Sequence, residues 1–195
     1  MTEAEVFILA NNALNKVVQQ IKDDQWGMKL PDWFKAGRTA SDVDLKTIIN
    51  YHAYDDAWVP DTLAGETIDE VGTKYDGDLL GDDPRASFAA IVEKSNAAVA
   101  AVTDFDNLVH LTYGDYPTRE FLKHTTSFRG FRAYDVAKLI GTDTQLPADL
   151  VQGMWDEIAP EVEDWRKMGV FGSAIEVAAD ASLQTKLFAL CGRQG

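Results

Sequence analysis

A single cysteine, Cys191, stands among the 195 residues, so no internal disulfide can form and burial alone has to hold the fold. A lone thiol also fits a reducing compartment. No apolar run approaches the roughly 20 residues a helix needs to cross a bilayer, and the start, Thr2-Glu3-Ala4-Glu5, is acidic where a signal peptide is basic and then apolar. These absences lead to the expectation of a cytoplasmic protein with no membrane partner. Positive charge is scarce as well. With 18 Lys and Arg against 32 Asp and Glu the net charge is -14, a field that repels phosphate backbones, so no nucleic-acid partner is expected.

The chain also lacks a glycine-rich phosphate loop, paired cysteines for zinc, a His-Glu-x-x-His motif and a nucleophile elbow. Asp76-Gly77-Asp78 followed by Asp82-Asp83 offers carboxylates without the spacing or terminal Glu of a calcium loop, and reads as a solvated loop. What is present is ordinary for a globular protein, 46% hydrophobic and 26% charged residues. The length favours one domain over 1–195, large enough to be stable without a staple.

Periodicity predicts an all-α fold with one short extended segment. A first helix opens on a capping box, Thr2 to Glu5, and carries Val6, Leu9, Ala10, Ala13, Leu14, Val17, Val18 and Ile21 at helical spacing. After a connector from Asp23 to Ala40, a second helix starts at Ser41 or Asp42, with Asp44 as the third residue of another capping box, and runs to about Leu63 with Pro60 near its end. A helical turn near Ile68 to Val71 is the most that the Gly- and Asp-rich loop to Asp83 holds. Asp83-Pro84 restarts a helix as cap and first position. Leu108 to Tyr113 reads as extended, or equally as a loop, and Gly114-Asp115-Tyr116-Pro117 as a turn. A further helix spans about Thr118 to Ile140 and stops at Gly141, and another spans Pro147 to Met168 with a bend at Pro160. An irregular tail from Gly169 precedes a last helix, Ser182 to Leu190.

Polar residues fall on two inner stripes. At about 100° per residue, Leu45, Ile48, Ile49 and Val59 define the inner line of the second helix, with His52 at its centre, Asp55 and Asp56 flanking it and Tyr51 to one side. On the helix from Thr118, the line Phe121, Thr125, Phe128, Val136 and Leu139 contains Arg132, with Arg129 one turn before it and Asp135 three residues after. A buried guanidinium needs a carboxylate or an open cavity, and Asp135, Asp55 and Asp56 are the available partners. Glu120 and His124, four apart, have metal-ligand spacing but lie off this line and read as a surface pair.

The segments Ile48-Ile49-Asn50-Tyr51-His52 ending at Trp58, Tyr75-Asp76-Gly77-Asp78-Leu79-Leu80-Gly81-Asp82-Asp83-Pro84 and His110-Leu111-Thr112-Tyr113-Gly114-Asp115-Tyr116-Pro117 come in one order along the chain. Tyr134-Asp135-Val136-Ala137, Gly141, Val170-Phe171-Gly172 and Gln184-Thr185-Lys186-Leu187 follow. Together they resemble actinobacterial DinB-like proteins, the group related to mycothiol-dependent maleylpyruvate isomerase, over nearly the whole length. The resemblance implies a four-helix bundle with additional helices and a divalent metal, zinc or nickel, held by three side chains inside it. In members that are enzymes, it implies that the metal activates a thiol such as mycothiol, or water. Matched by motif, Tyr51 takes the first ligand position with His52 beside it, and Phe128 and Arg132 take the other two. Phe has no donor atom and Arg stays protonated, so no metal or other cofactor is expected at those positions.

The preferred reading is a metal-free binder of small organic acids, or a divergent enzyme, in which Arg132 helped by Arg129 grips a carboxylate with its planar fork. Tyr51, Asp55, Asp56 and Asp135 complete the candidate ligand-binding set, and His52 is the candidate catalytic proton carrier. The alternative is a metal-dependent thiol transferase or isomerase with relocated ligands, His52 with Asp56 or Glu120 with His124. A third reading is an interaction protein without catalysis, and the sequence leaves monomer and homodimer both open.

Overall fold

The first helix, α1 (Glu3–Val18), starts where the chain supplies both halves of a capping box: Thr2 Oγ1 accepts the Glu5 amide at 3.3 Å and the Glu5 carboxylate accepts the Thr2 amide at 2.7 Å. The computed structural model describes residues 1–34 and 43–194. Ser41, Asp42 and the end of the first connector, Gly37 and Ala40 included, lie outside those residues. The second helix, α2 (Leu45–Leu63), begins later than the sequence reading placed it. Asp44 is the cap itself, in extended backbone, and its carboxylate accepts the Thr47 amide at 2.9 Å and the Thr47 hydroxyl at 2.7 Å.

A single turn, α3 (Ile68–Val71), breaks the loop that follows, and α4 (Pro84–Ala100) starts on Asp83, whose side chain accepts the Ala86 amide, with Pro84 in the first turn. Two strands come next, β1 (Leu108–Leu111) and β2 (Gly114–Pro117), paired antiparallel with Leu111 opposite Gly114. The reading of Gly114 to Pro117 as a turn is corrected. The reversal is at Thr112-Tyr113, and Gly114, at φ 137°, adopts a backbone that other residues rarely take. Helix α5 (Thr118–Ile140) ends at Gly141 in the left-handed conformation, φ 74°, whose amide caps the Ala137 carbonyl.

The helix expected from Pro147 to Met168 is two, α6 (Ala148–Ile158) and α7 (Val162–Lys167). Pro160 has no amide to continue the ladder, and the chain breaks there rather than bending. Helix α8 (Leu183–Leu190) is capped by Ser182, as the sequence indicates.

The protein is mostly helical, with the two-stranded sheet as its only strand pair among the described residues. Helix α1 packs against α5, α4 and α6, and α4 packs against α2. Val6, Leu14, Ile49, Phe88, Val136, Leu150 and Phe188 share one core, and a second cluster joins Phe7, Val59, Val99, Phe121 and Leu122 to Val109 of the hairpin. Across the interior α2 and α5 are bridged by long polar side chains. No helix among the described residues is long and apolar enough to cross a membrane.

Candidate functional site: a polar seam beside an aromatic cleft

The buried line of α2 runs Ile48, Ile49, His52, Ala53, Asp56 and Val59, so His52 and Asp56 stand one turn apart facing the interior. Asp56 is fully buried, and one oxygen, Oδ1, receives Arg129 Nε at 3.0 Å, Arg129 Nη2 at 2.6 Å, Asn11 Nδ2 at 3.0 Å and Ser95 Oγ at 3.1 Å. Helices α1, α2, α4 and α5 thus each give one residue to the cluster. Arg129 is engaged on every side, since Nη1 donates to the Thr125 carbonyl at 3.0 Å and its guanidinium lies 4.6 Å from the Phe7 ring centre. Desolvating two charges is costly, and these donors and the opposite charge are what offset it.

One turn along, Arg132 Nε donates to His52 Nε2 at 3.1 Å, and the guanidinium packs 4.7 Å from the Phe34 ring centre. Arg132 reaches Asp135 only at 3.9 Å; the closer partner of Asp135 is Arg193, whose Nη2 spans both carboxylate oxygens at 2.6 and 2.7 Å. Burial, with Arg132 and Arg129 nearby, holds the His52 pKa well below the ordinary histidine range. This changes the role expected of His52. With its Nε2 lone pair taken by Arg132 it is a neutral acceptor, poorly placed to carry protons near neutrality.

Several expected placements are corrected. Arg129, not Arg132, is the fully buried arginine paired with an α2 carboxylate, and Arg132 is half-buried. Tyr51 and Phe128 are exposed at 54% and 58%, so neither stands inside the helices. Glu120 pairs with Lys123 at 3.2 Å, while His124 turns into an aromatic cleft, so the two do not converge as metal ligands.

That cleft, of about 340 Å³, opens between α2, the hairpin and α5. Tyr54, Trp58, Tyr113 and Phe128 give it aromatic walls, and Asp55, His110 and His124 are its titratable groups besides the tyrosines. Asp55 is exposed toward the cleft mouth yet has protein packed around it, and this desolvation, opposed by Arg129 and reinforced by Asp56, raises its pKa to about 6. It forms no hydrogen bond or ion pair among the described residues. The indole Nε1 of Trp58 is closed off from solvent and has no acceptor among the described residues. His124 Nδ1 meets the Tyr113 hydroxyl at 3.3 Å, and burial lowers its pKa against the pull of Glu120 and Glu161. His110 Nδ1 lies 2.8 Å from Asp115 Oδ1, and burial pushes the Tyr113 phenol up to about 12.

Comparison with protein-family models, curated proteins and solved structures finds no match for this chain. The residues themselves must then decide whether the metal implied by the resemblance fits. It does not fit at the matched positions: Tyr51 and Phe128 point outward, and Arg132 is a cation already donating to the one nearby histidine. The relocated pair fares no better: His52 Nε2 is taken by Arg132, and Asp56, although its Oδ2 has no partner among the described residues, is already neutralised by the Arg129 cation. Among the described residues no group of three or more His, Cys, Asp or Glu is placed to hold a metal ion.

Sequence reasoning missed Asn11, Ser95 and the cleft aromatics. Asn11 carried a signal, a polar residue on the apolar stripe between Ala10 and Leu14. Ser95 sits between Val92 and Val99 in the same way. The cleft carried none, because its walls come from separate elements.

Proposed function

We propose that this chain is a DinB-like four-helix bundle with additional helices in which an ion-pair seam replaces the metal centre, and that it binds a small organic molecule in the cleft beside that seam. The observation that carries the reading is an aromatic cleft lined by a carboxylate, Asp55, that has no hydrogen-bond or ion-pair partner among the described residues. The seam leaves Asn11 Oδ1, Asp56 Oδ2 and Arg132 Nη1 without hydrogen bonds among the described residues, but those atoms are closed off from solvent, whereas Asp55 is exposed. A thermal-shift screen tests this. At a concentration roughly 100 times Kd a ligand adds about 2.7 kcal/mol of stability, and the shift should shrink in Trp58→Leu and Phe128→Ala. Hits that stabilise both variants as well as the parent would remove the cleft as the site.

A second reading keeps the organic acid and rests on one atom: Arg132 Nη1 is buried with no hydrogen-bond acceptor among the described residues. A ligand carboxylate would complete its fork. Stabilisation by succinate or benzoate that disappears in Arg132→Lys supports this reading; shifts that persist there sink it.

A further inference from the structure

We infer that the cleft selects a small organic cation, an amine or quaternary ammonium; the inference deepens the small-molecule reading above and rests on it. Among the described residues Asp55 is the only carboxylate lining the cleft, and no cation pairs with it. The nearest guanidinium, Arg129, is committed to Asp56 and the Thr125 carbonyl. Of the two cleft histidines, His110 is held by Asp115 and His124 by Tyr113. Among the described residues no lysine or arginine lines the cleft.

An anionic ligand would therefore meet Asp55 with nothing to offset the repulsion, on a chain whose net charge is already -14. A neutral apolar ligand would fill the cleft but displace water from a carboxylate left unpaired. A cation does neither. It pairs with Asp55, and the surrounding rings offer their negative faces to it. Tyr54 and Trp58 form one such corner, with ring centres 5.9 Å apart and planes inclined at 51°.

Calorimetric titration with choline, tetramethylammonium and the uncharged carbon isostere 3,3-dimethylbutan-1-ol tests the inference on the parent protein and Asp55→Asn. Choline should bind at least tenfold more tightly than the isostere, and Asp55→Asn should abolish that preference. Tetramethylammonium should bind the parent protein and lose affinity in Asp55→Asn as choline does. Equal binding of choline and its isostere, or an unchanged choline affinity in Asp55→Asn, would overturn the cation inference and leave the cleft as a site for neutral molecules. If no cation binds, the inference is overturned. The cleft reading fails with it only if no neutral aromatic probe gives a signal that Phe128→Ala removes.

Discussion

Arg129 and Asp56 are the most consequential pair of side chains in the molecule, because each is buried and each would be left as an uncompensated charge by loss of the other. Arg129→Ala should therefore destabilise by about 3–5 kcal/mol. The double variant Arg129→Met with Asp56→Leu, which removes both charges and keeps the volume, should recover most of that loss. Chemical denaturation of the two proteins checks the pair of outcomes; a double variant as unstable as the single would mean that Asn11 and Ser95, not the charges, hold the seam. Arg132→Ala leaves only a neutral His52 acceptor unpaired, at a smaller cost of about 1–3 kcal/mol. Asp55 behaves in the opposite sense. Its pKa is about 6 in the fold against 3.8 ordinarily, so the folded state holds a proton there that the unfolded chain has released, and its contribution to stability falls as pH rises through that window. Asp55→Asn should raise the melting temperature at pH above 6 and lose the advantage below about pH 4. Its neighbours Asp56, Arg129, Tyr54, Tyr113, His110 and His124 are common to both proteins, as is the acid sensitivity due to buried, neutral His52. The difference between the two curves therefore isolates Asp55.

Among the elements, those with explicit end signals were legible from sequence. Thr2 with Glu5, Asp83 with Pro84, Ser182 and Gly141 mark helix ends through local hydrogen bonds that need no tertiary context. The rotation of α5 was not legible, and the candidate site suffered for it. Its deeply buried line runs Leu122, Thr126, Arg129, Ala133, Val136 and Ala137, mostly small residues that allow neighbouring helices to approach closely. Phe128, which pulled the predicted stripe toward itself, is apolar because it lines the cleft. Hydrophobic periodicity cannot separate those two reasons, so Arg132 took the place that Arg129 occupies. Close approach also sets a testable constraint on α6. A Cβ at Gly153 would meet Val6 Cγ2 at 2.7 Å and Cγ1 at 2.8 Å, against a β-branched side chain with little rotamer freedom. Gly153→Ala should cost about 1–3 kcal/mol through overpacking, reduced by about 1 kcal/mol of helix propensity. Gly27→Ala, with nothing within 4 Å, is the control and should be near neutral in the same denaturant titration.

At the scale of the whole molecule, charge is distributed unevenly between interior and surface. Arg129 is closed into the interior by Asp56, and Arg193 is held by Asp135 near the surface, so neither is available to the excess of carboxylates outside. Exposed pairs such as Lys46 with Asp78 and Arg85 with Asp23 neutralise a few of those, and each contributes at most about 1 kcal/mol. With 32 acidic against 18 basic residues, the excess of 14 carboxylates has no matching cation, and their mutual repulsion opposes the compact state. Raising ionic strength from about 10 mM to about 0.15 M shortens the Debye length from about 30 Å to about 8 Å. It therefore weakens repulsion that acts over the whole surface more than attraction between neighbours already in contact. The melting temperature should rise over that interval. Ions cannot reach the Arg129–Asp56 pair, so Arg129→Met with Asp56→Leu should show the same rise as the parent protein. Scanning calorimetry of both proteins across the salt series decides it: a falling melting temperature would mean that the exposed pairs outweigh the repulsion, and a rise lost in the double variant would mean that the seam is open to solvent.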